Sequence, residues 1–206
     1  MSKNPKNLDL SEVLDIKKIK AVNRPIEKAH GLPNQCYISE KYLMIEREKV
    51  FQDKWTAVGI GSSVPNPGDA LPYNLLGIPL IILRDKESKI RVFHNVCSHR
   101  GYKLLDKPCS LKNLLRCPYH SWSYDLEGKL VATPHIGGLN IHKSEKFENH
   151  KSDLKEVRSK VWMDIIFINI NNNEIEFNKY VKPLEDRWLK FISKKDQDSL
   201  IYSRDH

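Results

Sequence analysis

The sequence predicts a mainly β protein, an antiparallel β-sandwich carrying a small subdomain on two loops, with helices at its N- and C-terminal ends. Three observations predict it. Short β-branched or aromatic segments recur between turn residues along the middle of the chain. Two compact Cys/His clusters interrupt them. Helical spacing of apolar residues appears only before residue 53 and after residue 176.

Residues 1–38 read as an N-terminal extension. Ser11 is placed to cap a short helix in which Val13 and Leu14 oppose Lys17 and Lys18, and Pro25 and Gly31-Leu32-Pro33 then keep the chain irregular. Ser39 is the expected N-cap of a helix over residues 40–52. Its Leu43, Arg47, Val50 and Phe51 recur at helical spacing, with the aliphatic stem of Arg47 along the apolar stripe. The period then changes. Trp55–Ile60, Ala70–Leu76, Pro79–Arg84 and Ile90–Val96 read as strands, separated by Pro65-Asn66-Pro67-Gly68-Asp69 and Asp85-Lys86-Glu87-Ser88. Asp125-Leu126-Glu127-Gly128 reads as a hairpin turn before Lys129–Ala132, and Val157–Met163 and Ile165–Ile170 close the β region. Asn171-Asn172-Asn173 ends it, and Phe177–Ile192 reads as a helix carrying Tyr180, Leu184, Trp188 and Phe191.

The chemistry concentrates between residues 97 and 120. Cys97-Ser98-His99-Arg100-Gly101 and Cys117-Pro118-Tyr119-His120 each offer one thiolate and one imidazole. The chain between them is long enough to bring the second loop beside the first. Zinc takes Cys₂His₂ sets, but its sites usually pair like ligands within one knuckle. A mixed supply from each loop suits a diiron cluster with cysteines on one iron and histidines on the other, the Rieske arrangement. Neutral imidazoles in place of thiolates reduce the negative charge on the cluster and raise its potential, to roughly −150 to +300 mV against about −400 mV for plant-type ferredoxins. Cys97, His99, Cys117 and His120 are therefore the expected metal ligands, and Cys36 and Cys109 the bystanders.

With these motifs the chain resembles the N-terminal, Rieske-bearing part of the alpha subunit of aromatic-ring-hydroxylating oxygenases, a family that includes choline-monooxygenase-like enzymes. The resemblance rests on Cys97-x-His99-Arg100-Gly101, Cys117-Pro118-Tyr119-His120-x-Trp122 and Tyr124-Asp125-Leu126-x-Gly128-x-Leu130. It implies a Rieske-type β-sandwich with a small cluster-binding subdomain, a 2Fe–2S domain over residues 39–170, and the helical start of a catalytic domain over 171–206. It implies an electron donor, a ferredoxin or flavin reductase, and an acceptor in an oxygenase catalytic domain or neighbouring alpha subunit. There the family holds a mononuclear Fe(II) on two histidines and a carboxylate, a motif these 206 residues do not contain. The chain is accordingly expected to be the electron-delivering part of an oxidoreductase of the mono- or dioxygenase type and to hydroxylate nothing by itself. Respiratory Rieske proteins have an extra cysteine in each loop, where Tyr102 and Tyr119 stand here, and a hydroxyl two residues after the second histidine. Trp122 occupies that last place, so a potential in the lower half of the range is expected. The family also usually has Gly where this chain has Ser121, a substitution that costs energy if φ is positive there.

Other function classes are set aside on composition. The net charge of +8 and pI near 9.2 admit nucleic acid, but the lysines are scattered and no aromatic–basic interleaving marks a strand-binding face. The start of the chain lacks an apolar signal core, and the runs at residues 78–83 and 165–170 are too short to span a bilayer, so a cytoplasmic setting with no membrane partner is expected. A free-standing Rieske ferredoxin-like carrier and a zinc-stabilised module are the alternatives. His94 is expected to serve packing, and His135 to lie near the cluster without ligating it. Trp122 is expected to cover the cluster loop, and His30, His142, His150 and His206 to be solvated.

Overall fold

The strand Ile78–Arg84 explains why its sequence is continuously apolar rather than alternating. Leu80 and Ile82 enter one core and Ile81 and Leu83 the other, and all four are essentially fully buried. A strand covered on both faces has no polar side to alternate with. The computed structural model that shows this describes residues 10–142 and 149–201.

Within those residues the strands are β1 (Thr56–Ile60), β2 (Asp69–Leu75), β3 (Ile78–Arg84), β4 (Ile90–His94), β5 (Cys109–Ser110), β6 (Leu114–Arg116), β7 (Ser123–Asp125), β8 (Leu130–Ala132), β9 (Glu156–Trp162) and β10 (Ile165–Asn169). All pairings are antiparallel. One sheet has the order β1-β10-β9-β4-β3-β2-β5 and the other β6-β7-β8. Val58 of β1 and Leu75 of β2 sit near opposite ends of the large sheet yet share one core with Leu80, Ile82, Val92, Ile166 and Ile168. The sheet therefore curls until its two ends cover a common interior, which is the expected mainly antiparallel β architecture. The second core joins Ile81, Leu83 and Phe93 of the large sheet to Leu115, Tyr124 and Leu130 of the small one. Each side chain of this size contributes about 1.5–3 kcal/mol on burial.

Turn chemistry fixes the small sheet. The Asp125 carboxylate accepts from the N–H groups of Glu127 and Lys129, and Gly128 holds φ +85°. A Cβ at Gly128 would meet the Phe93 ring at 2.5 Å, so this glycine serves both the turn and the contact between the sheets.

The helices are α1 (Ile16–Val22), α2 (Gln35–Ile38), α3 (Glu40–Glu46), α4 (Phe177–Trp188) and α5 (Lys194–Ser199). Ser39 caps α3 as expected, its hydroxyl accepting from the Tyr42 N–H, and α3 runs on as a π-helix over Arg47–Gln52. The first helix differs from expectation. Asp15, not Ser11, is its cap, because its carboxylate reaches the Lys17 N–H at 2.8 Å, and residues 10–12 form a separate 3₁₀ turn. The ends of the β region are tied by Asn169, whose amide donates to the Asp53 carbonyl at 2.9 Å and accepts from the Glu174 N–H at 3.2 Å. Phe177 and Val181 of α4 pack on Trp55, and further along the same face Trp188 meets Trp162 at 6.1 Å, with Tyr180, Leu184 and Trp188 left partly exposed. No helix among the described residues is long and apolar enough to cross a membrane.

Candidate metal centre

Two loops leave the second core with the same backbone design. The first follows β4 and the second follows β6. In the first, the Cys97 N–H donates to the Tyr102 carbonyl at 2.8 Å and the Gly101 N–H to the Cys97 carbonyl at 2.9 Å. In the second, the Cys117 N–H donates to the Trp122 carbonyl at 2.8 Å and the Ser121 N–H to the Cys117 carbonyl at 3.0 Å. The fifth residue of each is left-handed, Gly101 at φ +71° and Ser121 at φ +59°. Ser121 thus occupies a conformation that a glycine would adopt without steric cost.

This design puts the two thiols inside and the two imidazoles outside. Cys97 and Cys117 are each 2% exposed within the second core, His99 is partly exposed and His120 exposed. The His99 and His120 rings stand 5.0 Å apart, edge to face. Each imidazole has an aromatic backing: His99 stacks on the buried Trp122 indole at 4.6 Å and 13°, and the exposed Tyr119 ring lies 3.7 Å from His120. Trp122 is therefore the expected cover over the loop. Among the described residues, no three of His, Cys, Asp and Glu close round a single ion; the donors fall into two pairs instead.

Electrostatics follow from burial. Loss of water pushes the Cys117 thiol up, against the backbone N–H groups of Tyr119 and His120, which point at its sulfur and favour the thiolate. Burial, then the neighbouring His120 and Arg100, hold His99 below the usual imidazole range. The fully buried Tyr124 accepts from the Ser98 N–H at 3.1 Å and meets the Cys97 sulfur at 3.2 Å. Against a sulfur deprotonated by a bound iron the Tyr124 O–H would be the donor, and burial raises the pKa of this phenol. A bound iron would hold both thiols deprotonated, and the N–H and O–H groups aimed at sulfur are those a thiolate needs.

Sequence reasoning missed two residues here. Tyr124 supplies a hydroxyl to the site from four residues beyond His120, where Trp122 could not. Asn95, 1% exposed, accepts at one oxygen from the N–H groups of Leu104 and Leu105, both at 2.9 Å, and donates to the Leu105 carbonyl at 2.6 Å. It pins the exit of the first loop to the end of β4. An asparagine directly after an apolar strand and two residues before Cys97 was the available signal.

The remaining expectations can be placed. His135 lines the same 510 Å³ cleft as His99 and His120, and its ring meets His142 at 5.0 Å. Its Nδ1 accepts from the Asn140 N–H at 2.9 Å. His94 remains in β4, with its pKa lowered by burial. Cys109 is exposed in the edge strand β5 and Cys36 lies in α2, both apart from the paired thiols. The side chains of His150 and His206 fall outside the described residues. A larger cleft of 740 Å³ opens where β9 leaves β4, and none of its lining residues belongs to the two loops.

Comparison with known proteins agrees with this geometry. Residues 54–143 match the Rieske 2Fe–2S domain. The chain carries a Rieske domain. Its relatives include the carnitine monooxygenase oxygenase subunit of Acinetobacter pittii, 32% identical over 145 residues that make up 70% of this chain and 38% of the relative. The chloroplastic choline monooxygenase of Arabidopsis thaliana is 30% identical over 170 residues, 80% of this chain and 38% of the relative. The solved structure of the quaternary ammonium Rieske monooxygenase CntA with L-carnitine superposes with a TM-score of 0.68 at 28% identity, over 79% of this chain and 45% of that one. The chain thus spans about two fifths of the length of the curated relatives it matches. This Rieske domain is homologous to those of monooxygenase oxygenase subunits.

Proposed function

We propose that Cys97 and Cys117 hold one iron of a 2Fe–2S cluster, that His99 and His120 hold the other, and that the chain carries single electrons. The observation that carries this reading is the separation of two buried thiols from two outward imidazoles on twin loops. When bound, such a cluster takes up and gives back one electron at a time. The residues of this chain do the rest. The second core excludes water from the sulfurs, and the N–H groups of Tyr119 and His120 and the O–H of Tyr124 stabilise the negative charge there. Trp122 fixes the plane of His99, and the outward imidazoles shorten the path to whatever docks over them.

The donor in this reading is a ferredoxin or flavin reductase, and the acceptor is a mononuclear iron in an oxygenase catalytic domain or neighbouring alpha subunit, outside these residues. The crystal structure of one quaternary ammonium Rieske monooxygenase is described as revealing inter-subunit electron transfer, which supports such a hand-over. Residues 1–38 would then be an extension, 39–170 the electron-transfer domain and 171–206 the approach to the catalytic domain, working in the cytoplasm. Analysis of the purified chain tests the assignment. Two irons and two acid-labile sulfides per chain, with the paramagnetic spectrum of a mixed-ligand cluster after one-electron reduction, are expected. One zinc and no sulfide would overturn it. With a reductase and candidate substrates but no second oxygenase chain, reduction without product is expected.

A further inference from the structure

The cleft where β9 leaves β4 is an open strand edge, and we propose that an extended acidic segment of a partner protein docks there as an added strand. The site lies apart from the two ligand loops. Register shows which backbone groups are free. β4 and β9 pair at Val92↔Val157 and Phe93↔Glu156, and the His94 N–H donates to the Lys155 carbonyl at 3.0 Å. Backbone groups along an antiparallel strand turn alternately to its two sides. His94 and Val92 therefore turn theirs toward β9, and Lys155 and Val157 turn theirs toward β4. Carried along both strands, the same alternation points the N–H and C=O of Ser159 and Val161 out of β9 on its β4 side, and those of Ile90 out of β4. The ladder stops short of all three. Arg158, Lys160 and Trp162 face the other way, toward β10. The 740 Å³ cleft occupies the gap, and every residue from 156 to 161 lines it, odd and even alike. It therefore runs along the edge of β9 and not over one face. A row of free N–H and C=O groups is a template for another strand, which gains affinity from the main chain and specificity from its side chains.

Charge selects the occupant. Lys89 and Lys160 line the cleft, are exposed, and have no ion pair among the described residues. Arg84 adds a third positive charge, its guanidinium held on the carbonyls of Gly61, Val64 and Ser88. The carboxylates in the lining are already engaged. Glu156 meets Arg91 at 3.2 Å, Glu176 meets Arg158 at 2.6 Å, and Asp164 accepts from the Ser62 N–H at 3.2 Å. A strand that brings carboxylates neutralises the lysines left over. A second copy of this chain, with its net charge of +8, is repelled instead.

The probe is a fluorescein-labelled peptide of about eight residues alternating Glu and Val, titrated with the full chain and read by anisotropy. It is expected to bind with a Kd of about 10–100 µM, to weaken about tenfold between about 0.05 M and about 0.5 M salt, and to slow hydrogen exchange at the Ser159 and Val161 amides. A peptide alternating Lys and Val is expected to bind at least about tenfold more weakly. Val161→Pro removes an edge N–H while sparing the ladder to β10, and is expected to weaken binding about fivefold or more. Lys89→Glu combined with Lys160→Glu leaves the backbone alone; about tenfold weaker binding and a flatter salt dependence are expected. No binding at about 1 mM chain overturns the site, as does equal binding of the two peptides. Binding that leaves exchange at Ser159 and Val161 unchanged also overturns it. A single-stranded oligonucleotide of matched charge that binds as tightly as the Glu/Val peptide would mean an anion patch without strand pairing. Dimerisation of the chain that the paired Lys→Glu changes leave intact and Val161→Pro abolishes would put a second copy in the cleft instead. Should Val161→Pro fail to fold, the charge variant and the exchange pattern decide the matter.

Discussion

The two ligand loops share a backbone, yet of their six residues only the leading cysteine is the same. Cys97–Tyr102 and Cys117–Trp122 make the same pair of hydrogen bonds and the same left-handed turn at their fifth residue. Yet that residue is Gly in one and Ser in the other, the histidine is third in one and fourth in the other, and the sixth is an exposed tyrosine or a buried tryptophan. The common backbone places the thiols. The differences decide which imidazole is held from inside and which is left beside the surface. One loop is therefore anchored in the core through Trp122, while the other ends on the exposed Tyr102, whose ring meets Tyr119 of the anchored loop at 5.4 Å.

The largest break in this comparison comes from the donors themselves. Changing Cys97, His99, Cys117 or His120 to Ala is expected to abolish the cluster, because metal binding is coupled to the order of both loops. Cys36→Ser and Cys109→Ser should leave two irons per chain, since neither thiol approaches the pair. Iron analysis of the six variants checks the division. A loss in Cys109→Ser as great as in Cys117→Ser would sink it.

Next in size is the sixth position. Trp122→Ala removes a fully buried indole and the ring that fixes His99, and should cost about 3–5 kcal/mol of stability. Tyr102→Ala at the matching position of the other loop should cost under about 1 kcal/mol, since its ring is half exposed. Urea midpoints of the metal-loaded proteins measure both. Equal costs would mean that the loops are not anchored differently.

Tyr124 sharpens the comparison at the sulfurs, because its hydroxyl hydrogen-bonds to the first loop, at Cys97 and Ser98. Tyr124→Phe removes the O–H while keeping the ring. A hydrogen bond to a more negative sulfur gains strength on reduction, so its loss should lower the midpoint potential, by about 40 mV if the bond is about 1 kcal/mol stronger in the reduced state. Protein-film voltammetry reads the shift. An unchanged or higher potential would mean that the hydroxyl does not stabilise the added electron.

What the sequence disclosed and what it hid divide along physical lines. The donor set was legible because ligand chemistry limits the residue types, and the long strands because their periods or apolar runs are long enough to count. The strands at Cys109–Ser110, Leu114–Arg116 and Ser123–Asp125 were not, since two or three residues hold no period. Asn95 and Tyr124 were missed for another reason. Their partners lie 9 to 27 residues away, and only the packed second core brings them together. Ser121 was legible as a departure from the family pattern, but its consequence depended on a φ angle that only the structure supplies.

That angle sets the smallest and most symmetrical test. Gly101 and Ser121 hold the same left-handed conformation, so exchanging the two residue types should produce opposite effects of similar size. A Cβ at Gly101 would meet nothing within 4 Å, which makes Gly101→Ser a measure of backbone cost alone. That cost is about 1 kcal/mol, partly offset because the unfolded chain loses freedom when glycine is replaced. Ser121→Gly relieves the equivalent cost but returns that freedom to the unfolded chain, for an expected net gain of up to about 0.6 kcal/mol. The double exchange should return close to the starting stability, because each change acts on its own turn while the Cys-to-residue-six hydrogen bonds stay in place. Chemical unfolding of the four proteins, each with its cluster intact, reads the cycle. If Ser121→Gly destabilises the protein while Gly101→Ser costs the expected amount, the serine hydroxyl contributes something in the cleft that the shared backbone does not explain, and the two loops differ in more than the side chains that distinguish their anchoring.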